Sequence, residues 1–179
     1  MQTESIVKKP TLAIIMVLVC YVHVIAIVQA STNIQKVFCA VNAFLIILSY
    51  ISLLHWASGK KKFVLRAFIL FALYEIGEQT AYFFARPLSA VEAPINGFTV
   101  FIAITFLILL FFKKYQLIFP VLCVLIGCLF VISILGVLTV FSGAEIGVLI
   151  IMIMVELIGR IIICYPYLKI GRKLQQFQL

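Results

Sequence analysis

The sequence has 179 residues, of which 65% are hydrophobic and 11% are charged, and it carries a net charge of +8. A soluble domain covers its surface with about a quarter charged residues, so this composition excludes a soluble globular protein and predicts an outer surface that faces lipid. A net charge of this sign would suggest a nucleic-acid partner in a soluble protein, but the placement of the basic residues argues against that class.

Six hydrophobic runs are each long enough to cross a bilayer as a helix, which takes about 20 mainly apolar residues. In chain order they cover residues 11–30, 37–57, 63–85, 95–112, 117–140 and 144–168. The fourth is the shortest, and a five-helix alternative would make it re-entrant. The loops are very short, which favours antiparallel neighbours. We expect an all-α integral membrane protein, a compact bundle of six transmembrane helices that forms a single polytopic domain over residues 1–179.

The basic residues predict the orientation of this bundle. Most of them fall at one end of a six-helix arrangement, namely Lys8, Lys9, Lys60, Lys61, Lys62, Arg66, Lys113, Lys114, Lys169, Arg172 and Lys173. Lys36 and Arg86 fall at the other end, and Arg160 lies within the sixth run. Positive residues favour the cytoplasmic face, so we expect both termini to be cytoplasmic, in a multi-pass protein of the cytoplasmic (inner) membrane. The lipid bilayer is its expected partner, and no nucleic-acid partner is expected.

The third run carries polar residues along one face. Glu75, Glu78, Gln79, Tyr82 and Arg86 fall within one stripe about 100° wide when each residue turns the helix by about 100°. Ionised carboxylates that face lipid are costly. The stripe is therefore predicted to face protein or water inside the bundle.

The sixth run repeats this pattern. Glu156 and Arg160 are four residues apart with the acid first, which is the favourable order for a helical ion pair. At a rise of about 1.5 Å per residue, Glu75 and Glu156 each lie about 18 Å from the cytoplasmic end, and Arg160 is in reach of both. His23 and Asn42 reach a similar depth from the first two helices. These side chains are predicted to converge at the middle of the bilayer.

Acids outnumber bases in this cluster, and this excess predicts its chemistry. A surplus carboxylate in a low dielectric holds a proton or binds a cation, and ionisable residues inside a membrane are functional candidates. We expect a transporter, channel or solute-binding subunit that binds or conducts a small cation, a proton or a polar solute. The predicted ligand- or ion-binding residues are Glu75, Glu78, Gln79, Glu156, Arg160, His23 and Asn42.

Two alternatives stay open. Buried polar groups also hold membrane helices together, which would suit a homo-oligomeric sensor, defence or immunity protein, or one that joins a partner membrane subunit. A membrane enzyme acting on lipid is the third hypothesis, with His55 and Cys164 as its reactive pair. The sequence has no Asp and lacks H-E-x-x-H, G-x-S-x-G and Walker motifs. We therefore expect no catalytic residues, no cofactor and no metal site.

Overall fold

The computed structural model describes residues 7–85 and 88–176. Within these ranges the chain forms six α-helices and no strand, which confirms the expected all-α fold. The predicted position of Arg86 in the polar stripe lies outside the described residues. The helices are α1 (Lys9–Gln29), α2 (Asn33–Ala57), α3 (Phe63–Ala85), α4 (Glu92–Phe111), α5 (Tyr115–Val140) and α6 (Ile146–Gln176).

Five helices of the described chain are long and apolar enough to cross a membrane, namely α1, α2, α4, α5 and α6. The fourth run, predicted to be the least certain span, is a continuous helix that belongs to this group. The helix that falls short is α3, because Glu75 and Glu78 interrupt its apolar sequence. Length and composition thus support a membrane protein with five candidate spans among its described helices.

Helices that follow one another in the chain pack side by side, and α6 also contacts α1. The sixth helix contains Pro166 and continues to Gln176, beyond the predicted end of the run at residue 168. Its last turns lie against α2 and α3. There the Tyr167 ring stacks on Phe71 with centroids 4.0 Å apart, and the Tyr167 hydroxyl lies 2.7 Å from Ser49 Oγ.

A buried aromatic cluster fills the half of the bundle next to the basic loops. It consists of the fully buried rings of Tyr50, Phe68, Phe71, Phe106 and Tyr167. The Tyr50 hydroxyl donates a hydrogen bond of 2.8 Å to the carbonyl oxygen of Ile163, which ties α2 to α6. Because aromatic surface is buried and this hydroxyl is bonded, this half of the bundle is closed.

Two glycines bring α3 close to its neighbours. A Cβ at Gly77 would overlap the side-chain amide of Asn42 on α2. A Cβ at Gly136 of α5 would lie 2.6 Å from the Tyr82 hydroxyl oxygen. The backbone of α3 therefore lies against the Asn42 side chain of α2, and the Tyr82 side chain of α3 lies against the backbone of α5.

Candidate functional site

Arg160 of α6 lies between two carboxylates. Its Nε donates a hydrogen bond of 3.3 Å to Glu156 Oε1, one turn earlier on the same helix. Its Nη1 lies 3.9 Å from Glu75 Oε2 on α3. The structure thus brings together three of the predicted site residues, and one guanidinium contacts acids from two helices.

Ser133 of α5 completes this group. Its hydroxyl accepts a hydrogen bond of 3.2 Å from Arg160 Nε and donates one of 3.1 Å to Glu156 Oε1. The sequence analysis did not identify Ser133. Its signal is a single hydroxyl within an apolar stretch in the second half of α5, residues 130–137, and such a residue is a candidate whenever a neighbouring helix carries charge.

Glu75 occupies the most enclosed position of the site. Its side chain is 0% exposed, and neither carboxylate oxygen has a hydrogen-bond partner within the described part of the chain. A buried polar group that lacks a hydrogen bond is costly, and an ionised one more so. Packing alone does not explain a buried carboxylate without hydrogen bonds.

Two amide side chains bind the polar stripe of α3 from either side. Asn42 Nδ2 of α2 donates a hydrogen bond of 3.1 Å to Glu78 Oε1. Asn96 Nδ2 of α4 donates one of 3.1 Å to Gln79 Oε1. Asn42 therefore joins the site through Glu78, and the partner of Gln79 is a residue that the sequence analysis missed.

His23 lies beside the site rather than in it. It is buried on α1, and its Nδ1 lies 2.8 Å from the carbonyl oxygen of Val19 on the same helix. Its ring packs on Tyr74, the residue before Glu75, with centroids 5.7 Å apart. The structure thus brings His23 next to Tyr74 on α3, the helix that carries Glu75.

A cavity of about 220 Å³ lies between α3, α5 and α6. This volume has room for several water molecules, each of which occupies about 30 Å³ in the liquid. The apolar part of its wall comes mainly from the last turns of α5. Its polar lining consists of Glu78, Gln79, Tyr82, Ser133, Glu156 and Arg160.

The cavity extends toward the end of the bundle that carries the α3–α4 and α5–α6 connections. Its lining includes Tyr82 near the end of α3 and Phe141 just after α5. Beside it, the Tyr82 hydroxyl donates a hydrogen bond of 3.3 Å to Glu92 Oε1 of α4, and Thr139 Oγ1 donates one of 3.2 Å to the same oxygen. This end lies opposite the basic clusters, whereas the other end is closed by the aromatic cluster.

No family model, no curated protein and no solved structure matches this chain.

Proposed function

We propose that this protein is a membrane protein that binds or conducts a small monovalent cation, or a small polar solute with one positive charge, in the cavity between α3, α5 and α6. The observation that carries the proposal is the excess of acid at the cavity. Glu78 and Glu156 line it, and Glu75 lies behind Arg160. A cavity with surplus carboxylate in a low-dielectric surrounding attracts positive charge.

In this proposal all six helices cross the membrane, α3 included. Its stripe is shielded because Glu75 and Gln79 are buried against neighbouring helices, so the apolar remainder of α3 meets lipid. The basic clusters would make both termini cytoplasmic in a cytoplasmic (inner) membrane. The cavity would then open toward the outer side, and the aromatic cluster would close the inner side.

The donor groups favour a weakly held monovalent cation. Glu78, Glu156 and Ser133 line the cavity with side chains that carry carboxylate or hydroxyl oxygens, and oxygen is the donor that hard cations prefer. Among the described residues, no three His, Cys or Glu side chains are arranged to chelate a metal ion. An alkali ion with part of its water, or an ion of the ammonium type, therefore fits better than a chelated divalent metal.

A second candidate is supported by the polar pairs themselves. The bonds of Asn42 to Glu78 and of Asn96 to Gln79 join neighbouring helices, as structural polar contacts in membranes do. In that case the charges would lock the fold of a homo-oligomer or of a subunit with a membrane partner. This hypothesis does not explain why the two carboxylate oxygens of Glu75 lack a hydrogen-bond partner among the described residues. It predicts that cations do not stabilise the protein.

The test is thermal unfolding of the purified protein in detergent with sodium, potassium or methylammonium chloride. N-methyl-D-glucamine chloride keeps the ionic strength constant. At about 100 times its dissociation constant, a bound cation stabilises the folded state by about 2.7 kcal/mol. We expect one of the three probe cations to stabilise the wild type against thermal unfolding but not to stabilise Glu156→Gln. The control variant is Glu145→Gln, whose acid is exposed between α5 and α6, and it should be stabilised as the wild type is. No stabilisation of the wild type, or equal stabilisation of Glu156→Gln, would contradict the proposal.

A further inference from the structure

Arg160 divides its contacts unequally between the two acids it faces. Its Nε is hydrogen-bonded to both Glu156 and Ser133. Its Nη1 lies 3.9 Å from Glu75 Oε2, beyond hydrogen-bond distance. The guanidinium is therefore committed to the acid that lines the cavity, and the enclosed acid is left short of a donor.

The surroundings of Glu75 suit a neutral carboxylic acid. The side chain is 0% exposed, and both oxygens lack a hydrogen-bond partner among residues 7–85 and 88–176. An ionised carboxylate in such a place is costly unless it is paired, and taking up a proton removes this cost. The titratable and charged groups around it are Tyr74 and Glu78 of α3, Tyr50 of α2, and Arg160, Cys164 and Tyr167 of α6. His23 of α1 packs on the Tyr74 ring.

We propose that Glu75 is a proton-binding site that exchanges its proton for the cation in the cavity, with Arg160 as the group that moves between the two. The inference rests on the proposed cation site. In the resting state Glu75 carries a proton and Arg160 pairs with Glu156. A cation that enters the cavity takes over the Glu156 carboxylate, Arg160 turns to Glu75, and the O–H bond of Glu75 breaks to release the proton.

The charges balance in this exchange. Before it, one guanidinium and one carboxylate form a pair beside a neutral acid. After it, the guanidinium pairs with Glu75 and the cation pairs with Glu156, while Glu78 keeps its bond from Asn42. One positive charge enters and one leaves, so neither state leaves a buried charge without a partner.

The geometry makes the movement of Arg160 short. Its Nη1 already lies 3.9 Å from Glu75, and the planar fork of a guanidinium pairs with both oxygens of a carboxylate. Ser133 would keep its bond to Glu156 and hold that carboxylate toward the cation. Since the fully buried rings of Phe71 and Tyr167 close the other side, the proton leaves toward the cavity.

The test measures heat and proton release while the full-length protein in weakly buffered detergent solution is titrated with sodium or potassium chloride. We expect about one proton to be released for each cation bound, and we expect the cation affinity to rise about tenfold for each pH unit while Glu75 is protonated. N-methyl-D-glucamine should release none. Binding without proton release and without dependence on pH would overturn the exchange and leave the cation site standing. No binding of either cation would overturn both.

Glu75→Gln places a permanent neutral analogue of the protonated acid at this position. We expect it to bind the cation without releasing a proton. Its cation affinity should be the same at every pH and as weak as the affinity of the wild type in acid. Glu145→Gln is the matched control and should behave as the wild type does. Proton release that persists in Glu75→Gln would overturn the assignment to Glu75. If this variant does not fold, the proton count and the pH dependence of the wild type decide the question.

Discussion

At the scale of single residues, Arg160 is placed to compete with a ligand. The Glu156 side chain is 43% exposed, whereas Glu75 is fully buried, so of these two acids Glu156 is the one that a cation in the cavity would reach. In the proposed cation site, the guanidinium bound to Glu156 would have to be displaced, which would lower the affinity for the cation. Arg160 would then set the affinity of the site.

Arg160→Gln tests this competition. Without the guanidinium, Glu156 is free for the cation, and we expect cation binding that is at least tenfold tighter than in the wild type, because one hydrogen bond to a charged group contributes about 1.5 to 3 kcal/mol. Proton release should be lost, because Arg160 no longer pairs with Glu75. The measurement is calorimetric titration with sodium or potassium chloride. Binding weaker than in the wild type would show that Arg160 supports the site instead of competing for it.

Gly77 gives a second prediction at this scale. A methyl group at Gly77 would overlap Asn42, which would have to give up its bond to Glu78. We expect Gly77→Ala to lower the free energy of unfolding by about 1 to 3 kcal/mol, measured by denaturant titration in detergent. Gly127→Ala is the control, since no heavy atom lies within 4 Å of a Cβ there. Equal stability of the two variants would mean that α2 and α3 do not pack as described.

At the scale of helices, α3 stands apart because its own sequence is poorly suited to lipid. Among the described helices it is the one that is not apolar enough to count as a membrane span, and its acids face α2 and α6. An ionisable residue at the centre of a lone membrane helix costs about 2.5 to 3.5 kcal/mol. We infer that α3 enters the membrane with the help of its neighbours.

Insertion of isolated segments tests this inference. We expect residues 92–111 of α4 to insert fully as a single span in a glycosylation reporter, and residues 63–85 of α3 to insert only in part. Glu75→Leu in the isolated segment should raise its insertion because the central acid is removed. Full insertion of unmodified α3 would show that its acids are tolerated without partners.

Helix positions and the polar stripe could be predicted from the sequence, because hydrophobic runs and the turn per residue depend on local sequence alone. The proximity of Arg160 to both Glu75 and Glu156 followed from counting depth along antiparallel helices. Depth along a helix does not give the rotation of that helix about its axis. His23 was predicted within the cluster from its depth on α1, but the rotation of α1 places its ring against Tyr74. The contact made by Ser133 depends on the register between α5 and α6, which no single helix encodes.

At the scale of the molecule, the two halves of the bundle differ. One half holds the polar cavity and the other the aromatic cluster, and most of the basic residues lie beyond the aromatic half. If the basic end is cytoplasmic, the protein has an outward-facing cavity and a closed inner side. A conducting or transporting protein would have to open the aromatic half, whereas a binding protein would not.

Cysteine labelling tests this orientation. The native cysteines lie within helices, so a membrane-impermeant maleimide should report on cysteines introduced into the connections. We expect Ser142→Cys, between α5 and α6, to react in intact cells, and Ser58→Cys, between α2 and α3, to react only after the cells are opened. The reverse result would place the cavity on the cytoplasmic side.

The most direct test of the cation site is an experimental density map of the protein prepared with the cation that stabilises it most. We expect a peak in the cavity against the Glu156 carboxylate, with Arg160 turned toward Glu75. A cavity without a peak, with Arg160 still bound to Glu156, would contradict the cation site. The buried charges would then serve only to hold α3, α5 and α6 together.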